Sequence, residues 1–251
     1  MKTNPSPWRL SATSWLWPKS LNENLRRIAS WKLPISEVAF LFYQHAPSLA
    51  YLPKEFEPGR GLSSHVHLPL DLPWDEGPRA VWDLLERLMA LPGTLSPWGG
   101  VLHPPAQPDR LAGVARIWRE AAPGWRLMVE NIPSQDLRVH WPVIQEYGLP
   151  LCLDVGHLMA FDQDWLLDAP DLFKRVELVH CYAPGMVKQR HEHLSLTELS
   201  PSQRRTLKGI LARLGPDTRI LFEVFSESDL RGSLESFYAL CAELSQESEA
   251  K

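Results

Sequence analysis

Short apolar runs alternate with helix-like segments along the whole chain. The runs end near residues 16, 43, 68, 103, 131, 155, 181 and 224, and successive ends lie about 24 to 43 residues apart, which suits one strand followed by one helix. The runs are continuously apolar, as expected for strands covered on both faces. Eight such units predict a parallel sheet closed into a single (β/α)8 TIM barrel, and 251 residues is a typical length for that fold.

The segments between the runs carry helix signals. Ser20 and Glu23 have the spacing of a capping box, in which each residue satisfies a backbone N–H of the other. We expect a second helix to open at Trp141 and Pro142 and to end at Gly148, since proline suits a first turn and glycine a C-terminal cap. These signals fall between predicted strands, as the barrel requires.

Composition and charge narrow the class of protein. The chain is 44% hydrophobic and 22% charged, with a net charge of -4, which argues against a broad basic face for nucleic acid. No run reaches the roughly 18 apolar residues of a membrane span, the first residues show no secretory signal, and three cysteines make no disulfide framework. We expect one cytoplasmic domain over residues 1–251, with its core at about 9–240 and a frayed tail at 246–251.

Ionisable residues follow six of the apolar runs at the same end. They are His65 and His67, His103, Glu130, Asp154 with His157, His180, and Glu223. Such groups are costly to bury unless they are paired or bound to a metal, and the carboxyl ends of barrel strands meet at one mouth. The pattern therefore predicts a polynuclear metal site. Because one zinc ion takes about three or four protein ligands, the set would support two or three ions.

Two further histidines, His191 and His193, lie at positions i and i+2 of the long connection after the seventh run and could ligate together. Taken singly, each position has a plainer reading, since a lone histidine is often a core residue and a strand-end carboxylate often caps the next helix. The joint pattern favours metal. His45 is expected in a loop and His140 on the surface.

Eleven tryptophans are many for this length. Most are expected to pack between barrel and helices. A sharper hypothesis is that Trp15, Trp17 and Trp74 line a pocket for a large flat ligand.

Several motifs together carry a family resemblance. They are His103-Pro104, Val129-Glu130-Asn131, Leu153-Asp154-Val155-Gly156-His157, His180, His191-Glu192-His193-Leu194-Ser195-Leu196 and Phe222-Glu223. In this order they resemble the endonuclease IV-like (xylose isomerase-like) barrels over about residues 9 to 240. The resemblance implies two or three divalent ions, with zinc foremost and manganese or iron as alternatives.

The resemblance also implies metal-binding roles. Glu130 and Glu223 would bridge or bind metals at the centre, and the first shells would be completed by Asp154, His157, His180, His65 and His103. Between His65 and His67, the family pattern slightly favours His65. In the DNA-repair members an Asp-x-His pair holds the third ion. Here the matching pair is His191 and His193, a departure that leaves the third site open.

A narrower resemblance rests on four segments. They are His65-Val66-His67-Leu68-Pro69-Leu70-Asp71-Leu72-Pro73-Trp74, Val101-Leu102-His103-Pro104-Pro105, Glu130-Asn131-Ile132 and Glu223-Val224-Phe225-Ser226. These are similar to bacterial cobamide-remodelling phosphodiesterases of corrinoid salvage. The resemblance implies hydrolysis of the nucleotide-loop phosphodiester of a coenzyme B12-type cobamide to cobinamide phosphate and the lower-ligand nucleoside.

On this hypothesis Glu130, Glu223 and His180 are the catalytic residues, and metal ions activate water and stabilise phosphoryl charge. The expected substrate contacts are Trp15, Trp17, Asp71, Trp74, Asn131 and Arg190. The partner would be a small corrinoid, with neither nucleic acid nor membrane involved. The alternatives are an abasic-site DNA nuclease, a sugar isomerase or epimerase on the same barrel, and a metal-dependent corrinoid or nucleotide binder without turnover.

Overall fold

The computed structural model describes residues 6–187 and 190–249. Its centre is a closed barrel of eight parallel strands, in which the last strand pairs with the first. The barrel strands are β1 (Arg9–Thr13), β2 (Glu37–Leu41), β3 (Ser63–His67), β4 (Gly99–Leu102), β5 (Arg126–Glu130), β6 (Leu151–Asp154), β7 (Val176–Cys181) and β10 (Arg219–Phe222). The TIM-barrel prediction is confirmed, and each strand ends within about three residues of its predicted end.

Helices surround this barrel, and one small hairpin is added to it. The helices are α1 (Leu21–Ser30), α2 (His45–Leu49), α3 (Pro78–Ala90), α4 (Pro108–Ala121), α5 (Leu137–Tyr147), α6 (Val155–Ala160), α7 (Leu172–Arg175), α8 (Pro201–Leu211) and α9 (Glu227–Glu249). Strands β8 (Ala183–Val187) and β9 (Arg190–Leu194) form an antiparallel pair directly after β7. In the described part of the chain, no helix is both long and apolar enough to cross a bilayer.

The barrel interior is a separate apolar cluster from the shell between strands and helices. The interior cluster contains Ala39, Leu41, Val101, Met128, Cys152, Leu178 and Leu221. Side chains two positions apart on a strand share a face. Met128 therefore shares its face with Glu130, Cys152 with Asp154, and Leu178 with His180, so the ionisable residues at the strand ends are directed into the barrel mouth.

Helix ends follow the sequence signals with one exception. Ser20 and Glu23 form the predicted capping box of α1, and Gly148 ends α5 in a left-handed conformation. However, α5 begins at Leu137, a full turn before the predicted start, and Pro142 lies inside it. The reason is Asp136, whose carboxylate accepts the Arg138 N–H at 3.0 Å and so caps an earlier first turn.

The last helix is longer than the sequence suggests. Helix α9 continues to Glu249 rather than ending before Gln246. Lys208 of α8 lies 3.2 Å from Glu243 and 2.6 Å from Glu247 of α9, and these ion pairs fasten the polar last turns to the neighbouring helix. Helix α9 therefore includes most of the segment for which fraying is predicted.

Candidate metal centre

Four side chains converge inside the carboxyl-terminal mouth of the barrel. They are Glu130 at the end of β5, Asp154 at the end of β6, His180 near the end of β7 and Glu223 just after β10. Each is almost completely buried, and their ligand atoms all lie within 4.8 Å of one another. We call these four residues the central group.

His180 is the hub of the central group. Its Nδ1 atom lies 3.1 Å from Glu130 Oε1, 3.1 Å from Glu223 Oε2 and 3.7 Å from Asp154 Oδ2. One nitrogen facing three carboxylates cannot make three good hydrogen bonds with a single proton. A divalent cation at this point could accept the nitrogen lone pair and the carboxylate oxygens together.

A second set of donors faces the other oxygen of Glu130. The Nε2 atoms of His67 and His103 lie 3.3 and 3.1 Å from Glu130 Oε2. We call His67 and His103 the histidine pair. The two oxygens of one buried carboxylate therefore face two different sets of histidine nitrogens, so Glu130 could help to hold a cation on either side.

A third set is incomplete in the described residues. The rings of His157 and His193 lie 6.4 Å apart beside the central group. The side chain of His191, their expected companion, lies outside the described residues, as does that of Arg190. Whether a third ion is bound therefore remains an expectation from the resemblance.

Backbone carbonyls orient several of these imidazoles. The Nδ1 atoms of His67, His157 and His193 lie 3.1, 3.0 and 2.9 Å from the carbonyl oxygens of Leu68, Asn131 and Glu223. A carbonyl oxygen only accepts, so in the neutral ring the proton sits on Nδ1 and the lone pair on Nε2. Fixing the tautomer through the far nitrogen is typical of metal-binding histidines.

Burying the ionised side chains of the central group is energetically unfavourable without a cation to offset their charge. Burial raises the pKa of Glu130 and Glu223, but the charge of His180 outweighs burial, so the pKa of Glu130 falls well below its usual range and that of Glu223 falls to about 2. For His180, burial lowers the pKa, while its neighbours, the charged Glu223 and Glu130 among them, raise it further than burial lowers it. Glu130 and Glu223 thus stay ionised side by side in a buried site, where a divalent cation would offset their charge.

The hydrogen bonding of the central group is incomplete within the described residues. Glu130 Oε2, Asp154 Oδ2 and His180 Nε2 are buried and have no hydrogen-bond partner among the described residues. Buried polar atoms are nearly always satisfied. Carboxylate oxygens and imidazole nitrogens are ligands of divalent metals, so the residues present fit a cation such as zinc, magnesium or manganese.

Asn131 holds the backbone of Asp154 through two hydrogen bonds. Its amide oxygen accepts the Asp154 N–H at 2.7 Å, and its amide nitrogen donates to the Asp154 carbonyl at 2.9 Å and to Gln163 at 2.8 Å. Asp154 in turn caps α6 by accepting the His157 N–H at 2.6 Å. The amide predicted to contact substrate is therefore engaged in fixing the Asp154 backbone.

His65 lies deeper than the sequence resemblance suggests. It is one pleat before His67 on β3, fully buried, with Nδ1 at 2.7 Å from Glu37 Oε1. Glu37 also accepts from Arg219 at 2.6 Å and from the Trp98 indole at 2.9 Å. The structure thus brings His67, rather than the favoured His65, to Glu130.

The remaining predicted contacts divide between the mouth and the shell. Trp15 and Asp71 line a recess at the mouth. Trp17 packs against Trp31, with ring centroids 5.1 Å apart, and donates to Glu227, and Trp74 is partly buried against the helix–strand core. Trp17 and Trp74 therefore serve packing rather than this recess.

One further expectation is corrected. His140, expected to be exposed, is fully buried, and its Nε2 lies 2.7 Å from the Pro105 carbonyl oxygen. The earlier start of α5 explains this, because it places His140 on the inner face of the helix rather than before it.

Three residues in or near the barrel interior escaped the sequence analysis. Glu37 begins β2 and reads as a strand-edge charge. Tyr43 lies with its ring 5.9 Å from that of His67, and Tyr182 stacks on His193 at 3.8 Å with the planes 3° apart. The one available signal was position, since Tyr43 and Tyr182 directly follow barrel strands.

Comparison with known proteins supports the fold. No protein-family model matches the chain, and no curated protein matches it by sequence. Among solved structures, a xylose isomerase domain containing protein from Salmonella typhimurium LT2 is similar, with a TM-score of 0.61 and 14% identity over 96% of this chain and 97% of that one.

Two other similar structures contain metal. A xylose isomerase-like TIM barrel protein from Mycobacterium smegmatis in complex with magnesium has a TM-score of 0.60 at 13% identity, covering 94% of this chain and 97% of that one. The IolI protein with a bound zinc atom has a TM-score of 0.54 at 12% identity, covering 94% and 96%. At these identities the likeness establishes the fold alone: the chain is a TIM barrel whose fold is similar to that of these xylose isomerase-like structures.

Proposed function

We propose that this protein is a metal-dependent phosphodiesterase that hydrolyses the nucleotide-loop phosphodiester of cobamides to cobinamide phosphate and the lower-ligand nucleoside. The observation that supports it best is that the two carboxylate oxygens of Glu130 face two different sets of residues. One oxygen faces His180 of the central group, and the other faces the histidine pair. Paired metal ions, a few ångströms apart, are the usual means of stabilising both oxygens of a phosphoryl displacement.

The residues divide naturally between two ions. Asp154, His180 and Glu223 with one oxygen of Glu130 would hold the first, and the histidine pair with the other oxygen of Glu130 would hold the second. Bound divalent ions lower the pKa of water toward neutrality and stabilise negative charge on phosphoryl oxygens. Glu223, whose carboxylate stays ionised, would orient the attacking water and accept a hydrogen bond from it.

The substrate class rests on the motif resemblance around His65–Trp74 and Glu223–Ser226. A recess with an aromatic wall next to His67 supports a substrate that carries a flat group. The net charge of -4 disfavours the alternative of a DNA nuclease, because duplex binding relies on neutralising many phosphates.

A sugar isomerase or epimerase is the second candidate. The central group alone offers one nitrogen and three carboxylates, which is sufficient for one ion that polarises a carbonyl, with two glutamates to move a proton. On that reading the histidine pair has no role in holding the ion. His67 therefore distinguishes the two candidates.

The test is product analysis with matched variants. Purified protein loaded with zinc or manganese is incubated with a complete cobamide, and the products are identified by mass spectrometry. We expect cobinamide phosphate and free nucleoside from the wild type and from Glu177→Gln, which changes a surface carboxylate. We expect neither product from Glu130→Gln or His67→Ala.

An intact cobamide in the presence of at least two bound ions per chain would refute the cobamide assignment. Ketose epimerisation that survives His67→Ala and requires one ion would establish the second candidate instead.

A further inference from the structure

A recess opens at the barrel mouth between the loops that follow β1, β2 and β3. Its volume is about 440 Å³. Its wall consists of Trp15, Tyr43, Tyr51, Leu70 and Asp71, with Leu41, Gln44, Pro47 and Ser48. We call it the aromatic recess. It lies at the face of the barrel where the candidate metal centre lies, because all three loops leave the carboxyl ends of their strands.

Two large apolar side chains of the aromatic recess face solvent. Trp15 is 45% exposed and Leu70 is 54% exposed. A single exposed apolar residue needs no explanation, but two beside the same concave surface indicate a contact surface for a ligand. Trp15 is also the only tryptophan among the exposed large hydrophobic residues of the described chain.

Trp15 is held in place before any ligand arrives. Its ring meets that of Tyr43 edge to face, with centroids 5.8 Å apart and planes at 88°. An aromatic face fixed in this way loses little conformational entropy when a flat partner stacks on it.

Tyr43 connects the aromatic recess with the centre. Its ring lies 5.9 Å from that of His67. A ligand in the recess would have one end near the histidine pair.

The rim of the recess carries a fixed acceptor rather than a cation. Asp71 accepts the His45 backbone N–H at 2.8 Å, and its other oxygen lies 2.9 Å from His45 Nδ1. None of the described lining residues is lysine or arginine, so the recess does not suit a phosphate. A planar, largely apolar group with a polar edge matches it better.

We propose that the aromatic recess is the subsite for the aromatic base of the leaving nucleoside, which stacks on Trp15 while its ribose points toward His67. This inference rests on the proposed function. The volume lies in the lower half of the range for small-molecule sites, about 300 to 1,000 Å³. It therefore suits one bicyclic base with its sugar, whereas the corrin macrocycle spans several such rings and would lie outside the recess.

Binding measurements test the subsite apart from turnover. A benzimidazole riboside and cobinamide are each titrated calorimetrically into the metal-loaded wild type, Trp15→Ala and Leu70→Ala. The matched control is Val139→Ala, an exposed apolar residue on α5 that is 52% exposed and far from the recess in the fold. We expect riboside affinity to fall about tenfold or more in Trp15→Ala, less in Leu70→Ala, and not in the control. Cobinamide affinity should be the same in all four proteins.

Two results would overturn the proposal. Riboside affinity that is absent in the wild type, or unchanged in both recess variants, would show that the base binds elsewhere. A loss of cobinamide affinity in Trp15→Ala would assign the recess to the corrin. Cobamide hydrolysis in the same samples separates this failure from that of the proposed function, because hydrolysis can persist without the subsite and the riboside can bind without hydrolysis.

Discussion

The barrel interior contains two buried clusters of acids and histidines that behave in opposite ways. In the lower cluster, at the amino-terminal end, Glu37 is matched by His65, Arg219 and Trp98, and its pKa falls because these contacts together outweigh its burial. In the upper cluster at the mouth, three carboxylates surround His180, and several of their oxygens lack hydrogen bonds within the described chain.

The difference shows how to separate a structural charge cluster from a functional one. Burial and residue type are the same in both. What differs is the balance of charge, since a buried carboxylate without a cationic partner is strongly unfavourable. In the lower cluster the Arg219 guanidinium pairs with Glu37, although His65 Nε2 also lacks a hydrogen-bond partner within the described chain. The upper cluster gathers three carboxylates that could hold a cation.

Glu130→Gln should have the largest effect on this comparison. A neutral amide offers one oxygen instead of two, so it cannot serve the central group and the histidine pair together. We expect hydrolysis to fall below detection and bound metal to fall to at most one ion per chain. Mass-spectrometric metal analysis checks this, with circular dichroism showing that the barrel is folded. Unchanged metal content would mean that Glu130 does not bridge two ions.

Glu37→Gln should have the opposite effect, a loss of stability without a loss of metal. It leaves the Arg219 guanidinium and His65 without their carboxylate, and breaking a buried pair costs about 3–5 kcal/mol. We expect urea denaturation to show this loss in the free energy of unfolding while metal content stays at the wild-type value.

The control for Glu37 is Glu177→Gln at the same end of the barrel. Glu177 pairs with Arg126 on the surface, where both side chains are partly exposed, so the loss should be below about 1 kcal/mol. Equal effects of the two substitutions would contradict the view of Glu37 as a closed structural cluster.

Metal removal should affect the upper cluster alone. An ion that binds the folded state at 100 times its dissociation constant stabilises it by about 2.7 kcal/mol. We expect a chelator to lower the thermal unfolding temperature of the wild type and of Glu37→Gln by similar amounts. Glu130→Gln, which has already lost most of its metal, should respond much less. A chelator response of wild-type size in Glu130→Gln would place the stabilising ion elsewhere.

The sequence predicted the strands well because each barrel strand is a continuous apolar run with its ionisable residue at the end. It could not predict how deep in the barrel each ionisable side chain lies. His65 and His67 share one face of β3, and which of them reaches Glu130 depends on the register of β3 against its neighbours, such as the pairing of Leu41 with His67. That register is a property of the closed barrel and is not visible in a single strand.

Contacts between residues that are far apart in the sequence were equally impossible to predict. Glu37 depends on Arg219, 182 positions away in the chain, and nothing near Glu37 marks it as an interior residue. Trp17 looked like a mouth residue because it follows the first strand, yet it turns back to pack on Trp31 and to donate to Glu227. Residues in the loops after a strand can face either the mouth or the helices, and sequence position does not decide between them.

Asn131→Ala gives the smallest expected effect and the sharpest test of how the upper cluster is built. Asn131 touches Asp154 only through backbone atoms, so the substitution keeps every ligand oxygen and nitrogen but frees the Asp154 backbone. Loss of such a supporting residue weakens metal binding by about 10- to 100-fold. Competition against a chromophoric chelator measures this, with Asn22→Ala on α1, a half-buried asparagine outside the barrel mouth, as control. Wild-type affinity in Asn131→Ala would mean that the ligands are positioned by the strands alone.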